Sequence, residues 1–255
     1  MAGQPLPRPF AARLCSETLA EVHEAIAALL AAPGAVRPRG DGSRPRLLDV
    51  GCWDGQATAR YAAVTGAEPH GIEIFEGPAA AARARGVDVA GLDLERDRFP
   101  YGDATFDVIV VNQVLEHLKN IWLPLAEMYR VLRPGGVLVA SVPNLASLHN
   151  RVLLAVGVQP TSIRVRGPHV RGYTTREFVD LLSLGGALAV EAVRGVGFHP
   201  LPPRVAAPLA RLWPGAAHTP VYVARKVAER RPDPWSAYRA EEDAAGVQTS
   251  YAGAP

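Results

Sequence analysis

The residues with the clearest chemical promise lie where a short apolar run breaks. Arg46–Val50 (RLLDV) is stopped by Gly51 and reads as a buried strand entering a turn, LLDVGCWDGQ. In that turn Asp49, Gly51 and Gly55 make a D-x-G-x-x-x-G spacing. Gly51 permits a tight turn and close approach of backbone to a ligand. The helix expected over Gln56–Val64 offers free N–H groups at its start, which favour a carboxylate or other anion. A second apolar run ends at Glu73 in HGIEIF. An acidic side chain about 20 positions beyond a glycine turn is placed to accept hydrogen bonds from ribose hydroxyls. Together these features point to a ligand with a nucleoside part. They do not by themselves choose among nucleotide cofactors, although the absence of G-x-G-x-x-G leans against a dinucleotide.

The elements that must position these residues alternate. Strands are expected at Arg46–Val50, His70–Ile74, Val87–Leu92, Phe106–Asn112 and Val137–Val142. Helices are expected at Gln56–Val64, Pro78–Arg85 and Leu123–Leu132, the last ended by Arg133-Pro134-Gly135-Gly136. Two further strands follow, Ala187–Val193 and Val221–Lys226, after a helix capped by Thr174 or Thr175. This order predicts an α/β fold with a mainly parallel seven-stranded sheet and helices on both faces. In such sheets ligands bind beyond the carboxyl ends of the strands, where Asp49, Gly51 and Glu73 fall.

Around this unit, residues 1–45 read as a helix from Ser16 to Ala32 and a Pro- and Gly-rich linker. The α/β domain is expected over 46–227. An insertion at 145–173, after the fifth strand, holds an amphipathic helix over Leu145–Val156 and a basic loop. Residues 228–255 are rich in charge, Pro and Ala without periodicity, and are expected to be disordered.

The 255 residues suffice for one sizeable core. A net charge of +2 is too small to argue for nucleic acid, and the positive charge is nearly all arginine, with only Lys119 and Lys226 as lysines. No stretch is apolar enough to span a bilayer and no secretory signal is recognisable. Cys15 and Cys52 cannot build a disulfide framework, so a cytoplasmic, reducing location is expected.

Four segments in order, LLDVGCWDGQ, HGIEIF, GLDLERDRFPYGDATFDVIVVNQVLEHL and VLRPGGVLVASVPN, carry a resemblance. Over about Arg46–Asn144 the chain resembles the class I S-adenosylmethionine-dependent methyltransferases of the ubiquinone-biosynthesis and small-molecule type. The resemblance implies a Rossmann-like, doubly wound fold and S-adenosylmethionine as cofactor. It implies that Asp49, Gly51 and Gly55 shape the methionine end of the pocket, with Cys52 counted among the cofactor-binding residues as a small packing side chain between them. It places Glu73 on the ribose, Ile74 against the adenine, Asp93 and Leu94 at the adenine edge, and Asn112 and Gln113 near the methyl group. Trp53 stands where the family usually has glycine, a departure that narrows the pocket floor or supplies a stacking wall.

The cofactor would bring an activated methyl group, leaving the protein to align the acceptor and remove its proton. Candidates for a general base are His117, His149 and His169, with Glu116 and Tyr173 behind them; His117 and His169 lead. His117 follows the fourth strand at its carboxyl end, and His169 lies on the expected cover. No metal is expected, because no H-E-x-x-H or paired C-x-x-C occurs and Glu116 and His117 are adjacent rather than helically spaced. The cover's H-x-R-x-Y-T pattern also belongs to the resemblance. Arg164, Arg171 and Tyr173 are expected to meet a small, anionic acceptor. The leading function is O-methylation of a small molecule. A cofactor-binding partner protein without turnover and an NAD-type oxidoreductase are the competing readings.

Overall fold

Alternate residues of the central strands point to opposite faces, and both faces are apolar. Leu47, Val108, Val110, Val137 and Val139 join one buried cluster, while Leu48, Val50, Ile109, Val111, Leu138 and Ala140 join another. A sheet buried on both sides needs helices on both, which the computed structural model supplies; it describes residues 8–227 and 233–244. The strands are β1 (Arg46–Val50), β2 (Glu68–Ile72), β3 (Asp88–Ala90), β4 (Phe106–Asn112), β5 (Leu132–Ser141), β6 (Leu188–Val196) and β7 (Thr219–Lys226). The helices are α1 (Arg8–Leu30), α2 (Gln56–Thr65), α3 (Glu76–Ala84), α4 (Trp122–Val131), α5 (Leu148–Ala155), α6 (Thr175–Leu182), α7 (Pro203–Leu212) and α8 (Pro234–Ala244).

The seven strands form one sheet in the order β3-β2-β1-β4-β5-β7-β6. β1 to β5 pair in parallel, and β7 runs antiparallel to both β5 and β6. The strand order reverses between β1 and β4, which opens a crevice at their carboxyl ends.

The boundaries depart from the sequence reading in instructive places. The R-P-G-G segment lies inside β5, as an irregularity where the register with β4 shifts between Phe106 and Val108, and not as a turn before it. The N-terminal helix starts at Arg8 rather than Ser16, and it is no appendage. Its Val22, Ala25, Ile26 and Leu30 are buried with Leu47 and Tyr61 against the sheet. The linker after it is strapped down by Asp107 of β4, which is 1% exposed. The Asp107 carboxylate accepts from Arg39 Nε at 2.9 Å, Arg133 Nε at 2.5 Å and the Arg46 N–H at 2.7 Å.

The expected disorder of 228–255 is corrected over Pro234–Ala244, which forms α8; residues 228–232 and 245–255 lie outside the described residues. Trp235 explains the helix. Its ring is fully buried against Tyr129, and its Nε1–H donates to the Leu181 carbonyl at 3.0 Å. Burial of such a side chain is worth roughly 1.5–3 kcal/mol, enough to hold a polar segment to the core. α7, not foreseen, packs its buried Ala206 and Ala210 beside β6.

Candidate active site

The loop between β1 and α2 is shaped by what it must pass. Gly51 has φ 79°, and a Cβ there would lie 2.6 Å from Val114 Cγ2. Asp49 is buried, and its Oδ2 accepts from Thr58 Oγ1 at 2.5 Å. Burial pushes the Asp49 carboxyl up to about 6, against the pull of the Thr58 hydrogen bond. Cys52 packs among Ala79, Ala82, Val87 and Val89. Burial pushes its thiol up to about 12, so it carries no thiolate chemistry at neutral pH.

Glu73 follows β2 directly and is 6% exposed. Its Oε2 accepts from the Trp53 N–H at 3.0 Å and its Oε1 from the Phe75 N–H at 2.9 Å, which ties the two loops together. Each oxygen keeps a second lone pair for a ligand. Trp53 adopts φ 48°, and its ring meets Phe75 edge-on at 6.3 Å. With Ile74, these exposed rings form an apolar rim. Asp93 accepts from the Glu95 N–H through Oδ1 at 2.9 Å, and Leu94 packs against the core beside it. At the end of β4, Asn112 Oδ1 accepts from Ser141 Oγ at 2.5 Å, and Gln113 Nε2 donates to the same hydroxyl at 3.2 Å.

These residues line one cleft of about 1310 Å³ at the carboxyl ends of β1, β2 and β4. Asp49, Gly51, Cys52, Glu73, Ile74, Asp93, Leu94, Asn112, Gln113 and His117 all face it. Gly55 does not. It caps α2 at φ 76°, where a Cβ would lie 2.8 Å from Ala82, so its task is the close approach of α2 and α3. The cleft also takes in Leu19, His23, Arg60 and Tyr61 from α1 and α2. His23 Nδ1 lies 2.7 Å from the Tyr61 hydroxyl, and burial lowers its pKa. No local signal marks these residues, because they reach the cleft only when α1 folds across α2.

Below His117 the chain makes a 3-10 turn, Leu115–His117. Val170 N–H and Arg171 N–H donate to the Glu116 carbonyl at 2.9 and 3.2 Å, which pins the segment after β5 to this turn. The His117 and His169 rings therefore meet edge-on at 4.8 Å. Burial and the neighbouring His169 lower the His117 pKa, while a hydrogen bond to the Pro168 carbonyl opposes them. Glu116 is 1% exposed, neither carboxylate oxygen has a partner in another described residue, and burial pushes the carboxyl up to about 8 against the pull of its own backbone N–H. The expectation that adjacency keeps Glu116 and His117 apart is thus corrected. Their ligand atoms and those of His169 lie within 4.8 Å of one another, because His169 arrives from the cover to complete the group.

Other expected acceptor residues fall elsewhere. The Tyr173 hydroxyl donates to the Leu115 carbonyl at 3.2 Å, and burial pushes the phenol up, so Tyr173 braces the turn. The Arg171 guanidinium donates to the carbonyls of Leu118 and Lys119, at 3.2 and 2.6 Å. Arg164 is exposed on the loop and not among the cleft residues. His149 stacks on His218 at 5.3 Å and is removed from the cleft.

Residues 48–140 match the methyltransferase domain family model. The chain is 35% identical over 113 residues to 27-O-demethylrifamycin SV methyltransferase of Amycolatopsis mediterranei, covering 40% of this chain and 42% of that one. It is 32% identical over 171 residues to the ubiquinone biosynthesis O-methyltransferase of Mesorhizobium japonicum, covering 62% and 66%. The chain spans 55% and 37% of the length of two other curated relatives that it matches. The fold is shared with a Haloferax volcanii methyltransferase solved with the Trm112 methyltransferase activator, at TM-score 0.58 and 16% identity over 88% of this chain and 97% of that one. No helix of the described residues is long and apolar enough to cross a membrane. With the sheet order and the reversed β7 of that fold, and the matched segment running from β1 to β5, the chain belongs to the class I S-adenosylmethionine-dependent methyltransferases.

Proposed function

We propose that the protein transfers the methyl group of S-adenosylmethionine to an oxygen of a small-molecule acceptor. The observation that carries this reading is the single cleft into which Asp49, Gly51, Glu73, Asp93, Asn112 and His117 converge at the switch in strand order. The donor set fits the cofactor. The Glu73 carboxylate suits ribose hydroxyls and the apolar rim of Ile74 suits the adenine, with Asp93 and Leu94 at its edge. Close backbone approach at Gly51, beside Cys52 and the start of α2 that Gly55 caps, suits the methionine end, with Asn112 and Gln113 beside the methyl. When bound, the cofactor supplies a methyl on a sulfonium, already activated for transfer.

The protein's own part is to hold the acceptor in line and exclude water. His117, at the cleft wall, and His169 behind it are assigned to the acceptor's reacting oxygen. Residues 145–173 are assigned as the cover, on which the exposed Arg164 is kept as a guanidinium for an anionic acceptor, since Arg171 and Tyr173 serve the turn. The reading favours a cytoplasmic enzyme, where the Cys52 thiol stays reduced. Transfer of labelled methyl to a panel of phenols, sugars and amines tests it. Methyl ethers are the expected products. Methylation confined to nitrogen or carbon would overturn the O-specificity, and cofactor binding without transfer to any acceptor would make this a binding protein.

A further inference from the structure

We infer that Glu116, His117 and His169 form a site for one divalent cation of the zinc type, with an open position toward the cleft that takes the acceptor's oxygen. The inference deepens the proposed function and rests on it for the acceptor alone. Its starting point is the Glu116 carboxyl, 1% exposed, with no donor from another described residue to either oxygen and only its own backbone N–H pulling on it. Burial disfavours the ionised form of this carboxyl, and a cation beside it would supply the counter-charge that form needs. The nearby Arg171 guanidinium does not provide it, being turned to the Leu118 and Lys119 carbonyls.

Two imidazoles and a carboxylate are a donor set for zinc and its neighbours. Their ligand atoms lie within 4.8 Å of one another. Ligands on a tetrahedral cation at about 2.0–2.2 Å sit about 3.3–3.6 Å apart, so the three groups would draw together as the cation binds. The tautomer is prepared as well. His169 Nδ1 lies 2.7 Å from the Ser162 carbonyl, an acceptor only, so Nδ1 carries the proton and Nε2 keeps its lone pair. His117 is likewise hydrogen-bonded to the Pro168 carbonyl. Three protein ligands with the fourth position open mark a site that binds a substrate atom. A hydroxyl bound there loses its proton to water more readily. The oxygen then forms its bond to the methyl carbon as the sulfur–methyl bond breaks, leaving a methyl ether and the neutral thioether.

Chelator-treated protein, dialysed against Co²⁺ and separately against Zn²⁺, tests the site. One equivalent should bind, with the visible bands of four- or five-coordinate Co²⁺. Glu116→Gln, His117→Ala and His169→Ala should each abolish that binding while circular dichroism and cofactor affinity are kept. His149→Ala, in the other histidine cluster, should leave it intact. The site is overturned if the parent protein binds no stoichiometric cation, if Glu116→Gln and His169→Ala still bind it, or if His149→Ala removes it. Undiminished methyl transfer by cation-free protein would overturn the role given to the cation and leave the proposed function standing. Cation binding without any methyl transfer would uphold the site and overturn only the proposed function.

Discussion

Gly71 of β2 lies against Cys52: a Cβ added to Gly71 would be 2.5 Å from the Cys52 sulfur and 2.9 Å from its Cβ. The loop after β1 therefore descends onto β2 at the one residue without a side chain. Gly71→Ala should destabilise the fold by about 1–3 kcal/mol through overpacking. Adding Cys52→Gly should recover part of the loss. Urea unfolding of both variants checks this, and equal stability of Gly71→Ala and the parent would contradict the contact.

Glu73 bridges Trp53 and Phe75 at the cleft. Glu73→Ala should weaken S-adenosylmethionine binding by on the order of 1.5–3 kcal/mol, the worth of charge-assisted hydrogen bonds. Glu73→Gln should lose less. Calorimetric titration of folded variants measures both, and unchanged affinity in Glu73→Ala would remove the residue from the site.

Asp49 gives a pH signature. Its carboxyl sits near pH 6 instead of 3.8, so its neutral form is favoured on folding. That contribution is present below the unfolded value and is lost as pH rises through about 6. The ionised form then costs about 3 kcal/mol at neutral pH. Asp49→Asn keeps an acceptor for Thr58 and should be more stable than the parent at pH 7.5, with the gap closing by pH 4. Thermal unfolding across that range decides it.

The histidine stack should act with the opposite sign. His149, His199 and His218 lie within 5.6 Å of one another, ring centre to ring centre; His149 is hydrogen-bonded to the hydroxyls of Ser147 and Thr161, His199 to that of Thr18 and His218 to that of Thr219. Burial pulls His149 down to about 4 and His218 to about 3, helped by the neighbouring imidazoles, His169 included for His218. The unfolded chain takes up these protons near 6.5, so stability is full above that value and falls as pH drops toward 4. His218→Gln should flatten this fall in unfolding free energy, and an unchanged slope would place the acid sensitivity elsewhere.

Strand periodicity and turn chemistry by themselves determined the alternating α/β order, the seven strands and the carboxyl-edge placement of Asp49, Gly51 and Glu73. Those signals are local: FDVIVVN is apolar on both faces, and a residue at the end of a parallel strand must stand at the crevice. A threonine cap at Thr174 or Thr175 was legible for the same reason, and Thr174 is the one, its hydroxyl accepting from the Glu177 N–H only three residues on. Tertiary structure decided what depends on contacts distant in sequence. Tyr173 and Arg171 have the chemistry of ligand-binding side chains, but the Leu115, Leu118 and Lys119 carbonyls, more than fifty residues earlier, claim them. α8 looked polar and aperiodic because two isolated aromatic residues hold it, Trp235 against Tyr129 and Tyr238 against Trp122. Glu116 and His117 became a group only when His169 was carried back to them. A cluster of that kind has no spacing in the sequence, since its third member is set by where the cover lands on the sheet.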